Sequence, residues 1–287
     1  MHKETNGNLD LLILTPYNLY YKYFESGYEV RGGIIMDAYV LKDMTWPEIE
    51  KAFETANVAL IPIGAQEQHG FHLAEGCDSY RAEAFCSLLA KRAFPKVVVA
   101  PTINYGVSPH HMDFPGTITL KPETLIALLD DIVHSLTRHG IKKFLFINAH
   151  GGNSATISVA AEKLARAYDV EIAHTKFVDA AKDVINKEID STYFGHACER
   201  EISECLYMVP EIVRNNFIEK GDMNEDSFAL KYMRSDFVKV VYQFKEITNN
   251  GNIGDGTKGS QELGEKIIEK SLDVLHEFIE DFSTSNR

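Results

Sequence analysis

The chain has 287 residues, 45% hydrophobic and 25% charged, enough to bury a core in one large domain or two small ones without disulfide or metal staples. Its net charge of −13, with Lys and Arg scattered along the chain, offers no basic stripe to phosphates, so nucleic acid is not an expected partner. Residues 1–10 are polar with no basic n-region, and the apolar run 11–14 is too short to cross a bilayer, which predicts a cytoplasmic protein away from membranes.

Tyr17, Tyr20, Tyr21, Tyr23 and Phe24 form an aromatic cluster without a clean period. It suits packing on the body of the domain or a subunit contact. Thr45, followed by Trp46 and Pro47, predicts a helix start with Thr45 as N-cap, running to about 56. Alternation of strands and helices follows. Short apolar runs at 58–63, 97–100 and 144–147 read as buried strands, with a fourth near 170–177. Helical spacing marks 80–93, 122–139 and 154–168, with Leu125, Leu128, Leu129, Ile132, Val133 and Leu136 on one stripe of the second. Residues 199–208 read as helix, 237–244 alternate like a strand, and 263–282 make a long amphipathic C-terminal helix. Strands separated by helices predict crossover connections and a mainly parallel α/β sheet covered on both faces, in one domain.

In such sheets ligands sit beyond the carboxyl ends of the strands, so the polar residues after each strand matter most. After the first strand come Glu67, His69, His72 and Asp78. After the second come His110 and His111, and after the third come Asn148, His150, Gly151, Gly152 and Asn153. His196, Glu199 and Glu201 follow later, with His174 near the fourth strand. Seven of the 11 histidines therefore lie in these segments. Imidazole nitrogen with carboxylate oxygen is a common donor set for hydrolytic divalent metals. Taken singly, each residue has a plainer role. Glu67 could be a solvated loop charge, Gly151 and Gly152 a turn with Asn153 as helix cap, and Glu199 and Glu201 acids favoured at a helix N-terminus. No nucleophile elbow, dinucleotide fingerprint or phosphate loop is present. The four cysteines, Cys77, Cys86, Cys198 and Cys205, lack C-x-x-C spacing and read as reduced structural thiols.

The segments Pro62-Ile63-Gly64-Ala65-Gln66-Glu67-Gln68-His69-Gly70, Phe114-Pro115-Gly116-Thr117, Asn148-Ala149-His150-Gly151-Gly152-Asn153 and His196-Ala197-Cys198-Glu199-Arg200-Glu201-Ile202-Ser203 resemble four motifs of the creatininase family. Asp78, nine residues after His69, also fits. The family usually has Gly at 198 and Thr at 202. The resemblance covers about 44–282, making 44–287 the hydrolase domain and 1–43 an extension.

It implies a three-layer α/β/α fold, a homo-oligomer (often a hexamer), and two divalent ions, with zinc ahead of manganese or iron. By the resemblance Glu67 and His150 hold one ion, His69 holds the other, and Asp78 bridges them. The ions activate water for attack on the amide of a small molecule, and His196 passes a proton to the leaving nitrogen. His111, Gly151 and Gly152 are candidate substrate contacts. Creatininase proper has a glutamate where this chain has Gly152, so Glu199 is expected to supply the missing ligand, with Glu201 orienting ligands. Creatininase proper also closes tryptophans over its substrate between the third and fourth motifs. Here the single tryptophan is Trp46, and Phe177, Tyr193 and Phe194 take that region. Creatinine is therefore not the expected substrate. The alternatives are ring opening of an inosose-type cyclic ketone and a non-catalytic ligand-binding protein.

Overall fold

The computed structural model describes residues 28–29, 35–233, 235 and 237–285. The tyrosine-rich cluster at 17–24 lies outside the described residues. The chain divides into two units, Met1–Asp37 and Ala38–Arg287. In the first, β1 (Tyr28–Glu29) pairs antiparallel with β2 (Ile35–Met36). The second holds the sheet, and it takes in residues 38–43, which the extent of the family resemblance leaves in the extension.

In chain order the second unit runs β3 (Tyr39–Val40), α1 (Trp46–Ala52), β4 (Val58–Ile63), α2 (Cys77–Arg92), β5 (Val97–Val99), α3 (Pro122–Arg138), β6 (Lys143–Asn148), α4 (Ser154–Tyr168) and β7 (Glu171–Lys176). Then come α5 (Lys182–Glu188), α6 (Glu199–Met208), α7 (Phe228–Tyr232), α8 (Phe244–Ile247) and α9 (Gln261–Thr284). Strands β3 to β7 form one parallel sheet in the order β3-β5-β4-β6-β7.

Alternation along each strand feeds two cores. Ala59, Ile61 and Ile63 of β4, with Phe144 and Phe146 of β6, pack against α3 and α4. Val58, Leu60, Leu145 and Ile147 point the other way, onto α2, α5 and α9. Both faces of the central strands are buried, which is why they read as continuous apolar runs. This is the parallel sheet covered on both faces that the patterning predicts, and the three-layer α/β/α arrangement that the resemblance implies.

The chain leaves β4 for β5 on one side, then crosses to β6 on the other. The carboxyl ends of β4 and β6 therefore flank a topological switch point, where loops diverge and leave a crevice. Glu67 follows β4 and His150 follows β6, so both candidate ligands open onto that crevice.

The expected strand at 237–244 does not form. Residues 237–243 have no regular structure and α8 starts at Phe244. Their apolar side chains divide between a cavity wall and solvent, with Phe237 86% and Val241 96% exposed, so the alternation reflects no sheet. The stripe on α3 is narrower than its pattern suggests. Leu125, Leu129, Val133 and Leu136 are buried, while Leu128 is 38% exposed. Leu129→Ala should therefore lower unfolding free energy by about 2–5 kcal/mol. Leu128→Ala should cost less than about 1 kcal/mol. Urea midpoints at constant slope would compare the two.

Candidate metal centre

The rim of the switch point gathers side chains from four places. The loop after β4 carries Glu67 and His69, and the first turn of α2 carries Asp78. His150 follows β6. The N-terminal end of α6 brings His196 and Glu201. All six residues are buried.

Hydrogen positions follow from the partners on the far side of each ring. His69 Nδ1 donates to the Glu67 backbone oxygen at 3.1 Å, leaving the lone pair on Nε2. That lone pair faces Asp78 Oδ1 at 3.4 Å and Glu201 Oε2 at 3.9 Å. His150 Nε2 donates to the Val107 carbonyl at 3.1 Å. Its Nδ1 then faces Glu67 Oε1 at 3.1 Å and Asp78 Oδ2 at 3.3 Å. A lone pair set against a carboxylate in a buried site is repulsive unless a cation lies between them. Among the described residues, both Glu67 side-chain oxygens, Asp78 Oδ2 and His69 Nε2 are buried without a hydrogen-bond partner.

A proton would answer the same need. Burial opposes charge on His150, yet Glu67 and Asp78 hold its pKa well above the ordinary imidazole value. Ligand atoms of Glu67, His110 and His150 lie within 4.8 Å of one another, as do those of His69, Asp78 and Glu201, and those of Glu67, His69 and His196. Three donors of mixed nitrogen and oxygen fit a hydrolytic divalent metal. Asp78 turns one oxygen toward His69 and the other toward His150.

Glu199, expected from the sequence to supply a ligand, is in none of these donor groups, although its Oε1 is buried without a hydrogen-bond partner. Two residues along a helix rotate a side chain by about 200°, so Glu199 and Glu201 leave α6 on opposite faces. Glu199 Oε2 accepts the Asp255 N–H at 2.9 Å, while Glu201 turns toward His69. Glu201 Oε2 also accepts the Ala197 N–H at 2.7 Å, and its Oε1 accepts from Arg81 and Arg200, each at 3.1 Å. Burial works against its charge, but Arg81 and Arg200 hold its pKa at about 2. At Gly152 an added Cβ would overlap His150 Nε2 and the Val107 oxygen, and reach 2.9 Å from His110 Cε1. The backbone here thus has no room for the glutamate of creatininase proper.

The cluster opens into a cavity of about 610 Å³ lined by Glu67, Asp78, His110, His111, Gly151, Gly152, Lys176, His196, Tyr242 and Phe244, among others. His111, Gly151 and Gly152 thus lie where substrate contacts are expected. Phe194 lines the wall as well. Phe177 also touches the cavity, but it is stacked on Phe85 at 4.4 Å and belongs to the core. Trp46 is 75% exposed on α1. Sequence reading misses Phe244, whose ring stacks on His111 at 3.8 Å. It also misses Arg81, which has no motif to flag it. His72 is buried but donates to the Ala197 carbonyl at 2.8 Å, and exposed His174 lies along a separate groove beside α4. All four cysteines are free and buried, and burial pushes the Cys198 thiol up to about 11, which removes it as a nucleophile.

Fold and donor set together define a metal-dependent hydrolase of α/β/α architecture. Residues 42–279 match the profile of the creatininase family (creatinine amidohydrolase), and the chain belongs to that family. It is similar to a 3-dehydro-scyllo-inosose hydrolase of Thermotoga maritima, 26% identical over 83% of this chain and 81% of that protein. It is 30% identical to a creatinine amidohydrolase of Pseudomonas putida over 60% of this chain and 72% of the relative. A manganese form of creatininase superposes with a TM-score of 0.73 at 25% identity, covering 85% of this chain and 99% of the other. Among the described residues, no helix is long and apolar enough to cross a membrane.

The opposed faces of α6 make a direct comparison. Glu201→Gln should weaken one ion by roughly tenfold or more. Glu199→Gln should leave metal affinity unchanged, and Gly152→Glu should add no ion. Metal analysis after equilibrium dialysis reads all three. A loss of metal confined to Glu199→Gln would contradict the assignment.

Proposed function

We propose that the protein hydrolyses a C–N amide bond in a small cyclic or linear molecule at a centre of two divalent ions, with zinc the first candidate. The observation that carries this reading is Asp78, whose two oxygens face separate imidazole lone pairs. In this assignment Glu67 and His150 would hold one ion and His69 and Glu201 the second, with Asp78 available to both. Bound ions would supply Lewis-acid polarisation of the carbonyl and a nucleophilic water at neutral pH.

The residues of the chain do the rest. His196 has Nδ1 turned inward, 3.7 Å from Glu67 Oε1, where it can move a proton. Burial and His69 push its pKa down to about 4, so the ring is neutral at physiological pH. Gly151 and Gly152 bring bare backbone to the cavity, which allows close approach of a carbonyl compound. Arg81 and Arg200 keep Glu201 ionised and oriented. A homo-oligomer in the cytoplasm is the setting this reading carries with it.

Ring opening of a cyclic ketone of the inosose type is the second reading. Two observations favour it. The inosose hydrolase aligns over 83% of the chain, and Lys176 and Gln243 give the cavity wall polar groups suited to hydroxyls.

Chelation should abolish hydrolysis, and zinc or manganese should restore it. A screen of creatinine, formamides and inosose-type ketones with the restored enzyme separates the two readings. Creatinine should give a kcat/KM below about 10⁴ M⁻¹s⁻¹, the lower edge of ordinary enzyme efficiency. Full turnover in demonstrably metal-free protein would refute the reading, and a monomer by light scattering at micromolar concentration would remove the oligomer.

A further inference from the structure

Gln68 lies between two candidate ligands in the motif but belongs to none of the donor groups. It is 6% exposed. Its side-chain orientation is determined from both sides. Oε1 accepts the Gly70 N–H at 2.9 Å, and Nε2 donates to the Gly251 carbonyl at 3.0 Å. The flipped amide would set oxygen against oxygen at Gly251 and hydrogen against hydrogen at Gly70.

Nε2 has two hydrogens, and Gly251 takes one. Two imidazole nitrogens compete for the other, His111 Nδ1 at 3.0 Å and His196 Nε2 at 3.1 Å. The backbone oxygen of Gln68 decides between them, because it lies 2.6 Å from His196 Nε2. A lone pair at that distance from a carbonyl oxygen would be repulsive, so His196 Nε2 carries a hydrogen and donates to it. The 3.1 Å approach of Gln68 Nε2 to His196 therefore contains no hydrogen bond. The remaining amide hydrogen goes to His111 Nδ1, and the hydrogen of His111 lies on Nε2.

We propose that Gln68 is a positioning residue that places both rings in the Nε2–H tautomer but turns them oppositely, so that His111 shows an N–H and His196 a lone pair to Glu67. His111 Nε2 is 3.4 Å and His196 Nδ1 3.7 Å from Glu67 Oε1. Phe244 helps to hold both rings, stacked on His111 and edge-on to His196 at 4.8 Å. This refines the expected role of His196, and to that extent it rests on the proposed hydrolase reading. With its hydrogen on Nε2, His196 begins as an acceptor at Nδ1. It takes one proton from the attacking water and returns that proton to the leaving atom, which balances. His111 is the group that can donate a hydrogen bond from the outset.

The test is long-range proton–nitrogen NMR on zinc-loaded protein labelled with ¹⁵N at histidine, each ring assigned by its own His→Gln variant. Wild-type protein should show unprotonated Nδ1 and protonated Nε2 on His111, and the same on His196. Gln68→Glu has only acceptors, so it should move the His111 hydrogen to Nδ1 and leave His196, which is set by backbone, unchanged. Gln68→Met, which accepts only weakly, should give a mixed His111 with the same unchanged His196. A wild-type His111 protonated at Nδ1 would overturn the proposal. So would a Gln68→Met protein in which both rings shift together, the mark of general loosening. None of these readings needs turnover, so a protein without hydrolase activity would sink the proposed function and leave the tautomer assignment to be decided by the spectra.

Discussion

Four carboxylates, Glu67, Asp78, Glu201 and Glu204, are buried side by side with two guanidiniums, Arg81 and Arg200. Arg81 reaches Asp78 at 3.0 Å, Glu201 at 3.1 Å and Glu204 at 2.9 Å, and Arg200 closes the same group from the next turn. Four negative charges less two positive ones leave two negative charges, at formal ionisation, on the side that faces the cavity. Buried charges without partners are costly, of the order of several kcal/mol each. Neutral His69, His150 and His196 cannot cancel that excess, since their hydrogens go to backbone oxygens behind them. Divalent cations answer it. The site thus has a cationic wall of arginine at its back and a carboxylate-rich front that favours positive charge.

The fold supplies this arrangement through two features. The switch point between β4 and β6 separates the loops that hold Glu67 and His150. The register of α6 then directs Glu201 inward and Glu199 outward. Glu199 still serves the site, at one remove. Its carboxylate accepts the Asp255 N–H, and the 250–255 loop pairs Ile253 with His196 and offers the Gly251 carbonyl to Gln68. Glu199 so ties the start of α6 to the loop that carries the Gly251 carbonyl.

Chemistry and specificity are carried by different parts of the chain. The donor set sits at strand ends and helix starts that the sheet fixes in place. The cavity walls come partly from irregular segments, Phe194 and Gly195 on one and Val240 to Gln243 on another. Loops on a rigid scaffold can change without disturbing the metal chemistry, and relatives named for creatinine and for an inosose share one framework.

The amino-acid sequence alone determines the layered α/β class, because buried parallel strands and amphipathic helices write distinct periods into it. The strands at 58–63 and 143–148 and the helix Glu199–Met208 are legible almost to the residue. Glu67, His69, Asp78, His150 and His196 are legible too, since their motifs fall at predicted strand ends or a predicted helix start. Tertiary structure decided what depends on direction rather than position. Which of Glu199 and Glu201 turns inward depends on how α6 packs. Whether Gly152 has room for a side chain depends on Val107, which meets it from another strand end, and on the direction in which the neighbouring His150 ring turns. Phe244 and the Gly251 carbonyl enter the site from remote segments whose own sequence carries no sign of it, and Arg81, one turn after Asp78, shows its role only once α6 packs against α2. A linear pattern records the period of a helix, but its rotation about its axis is set by the contacts it makes.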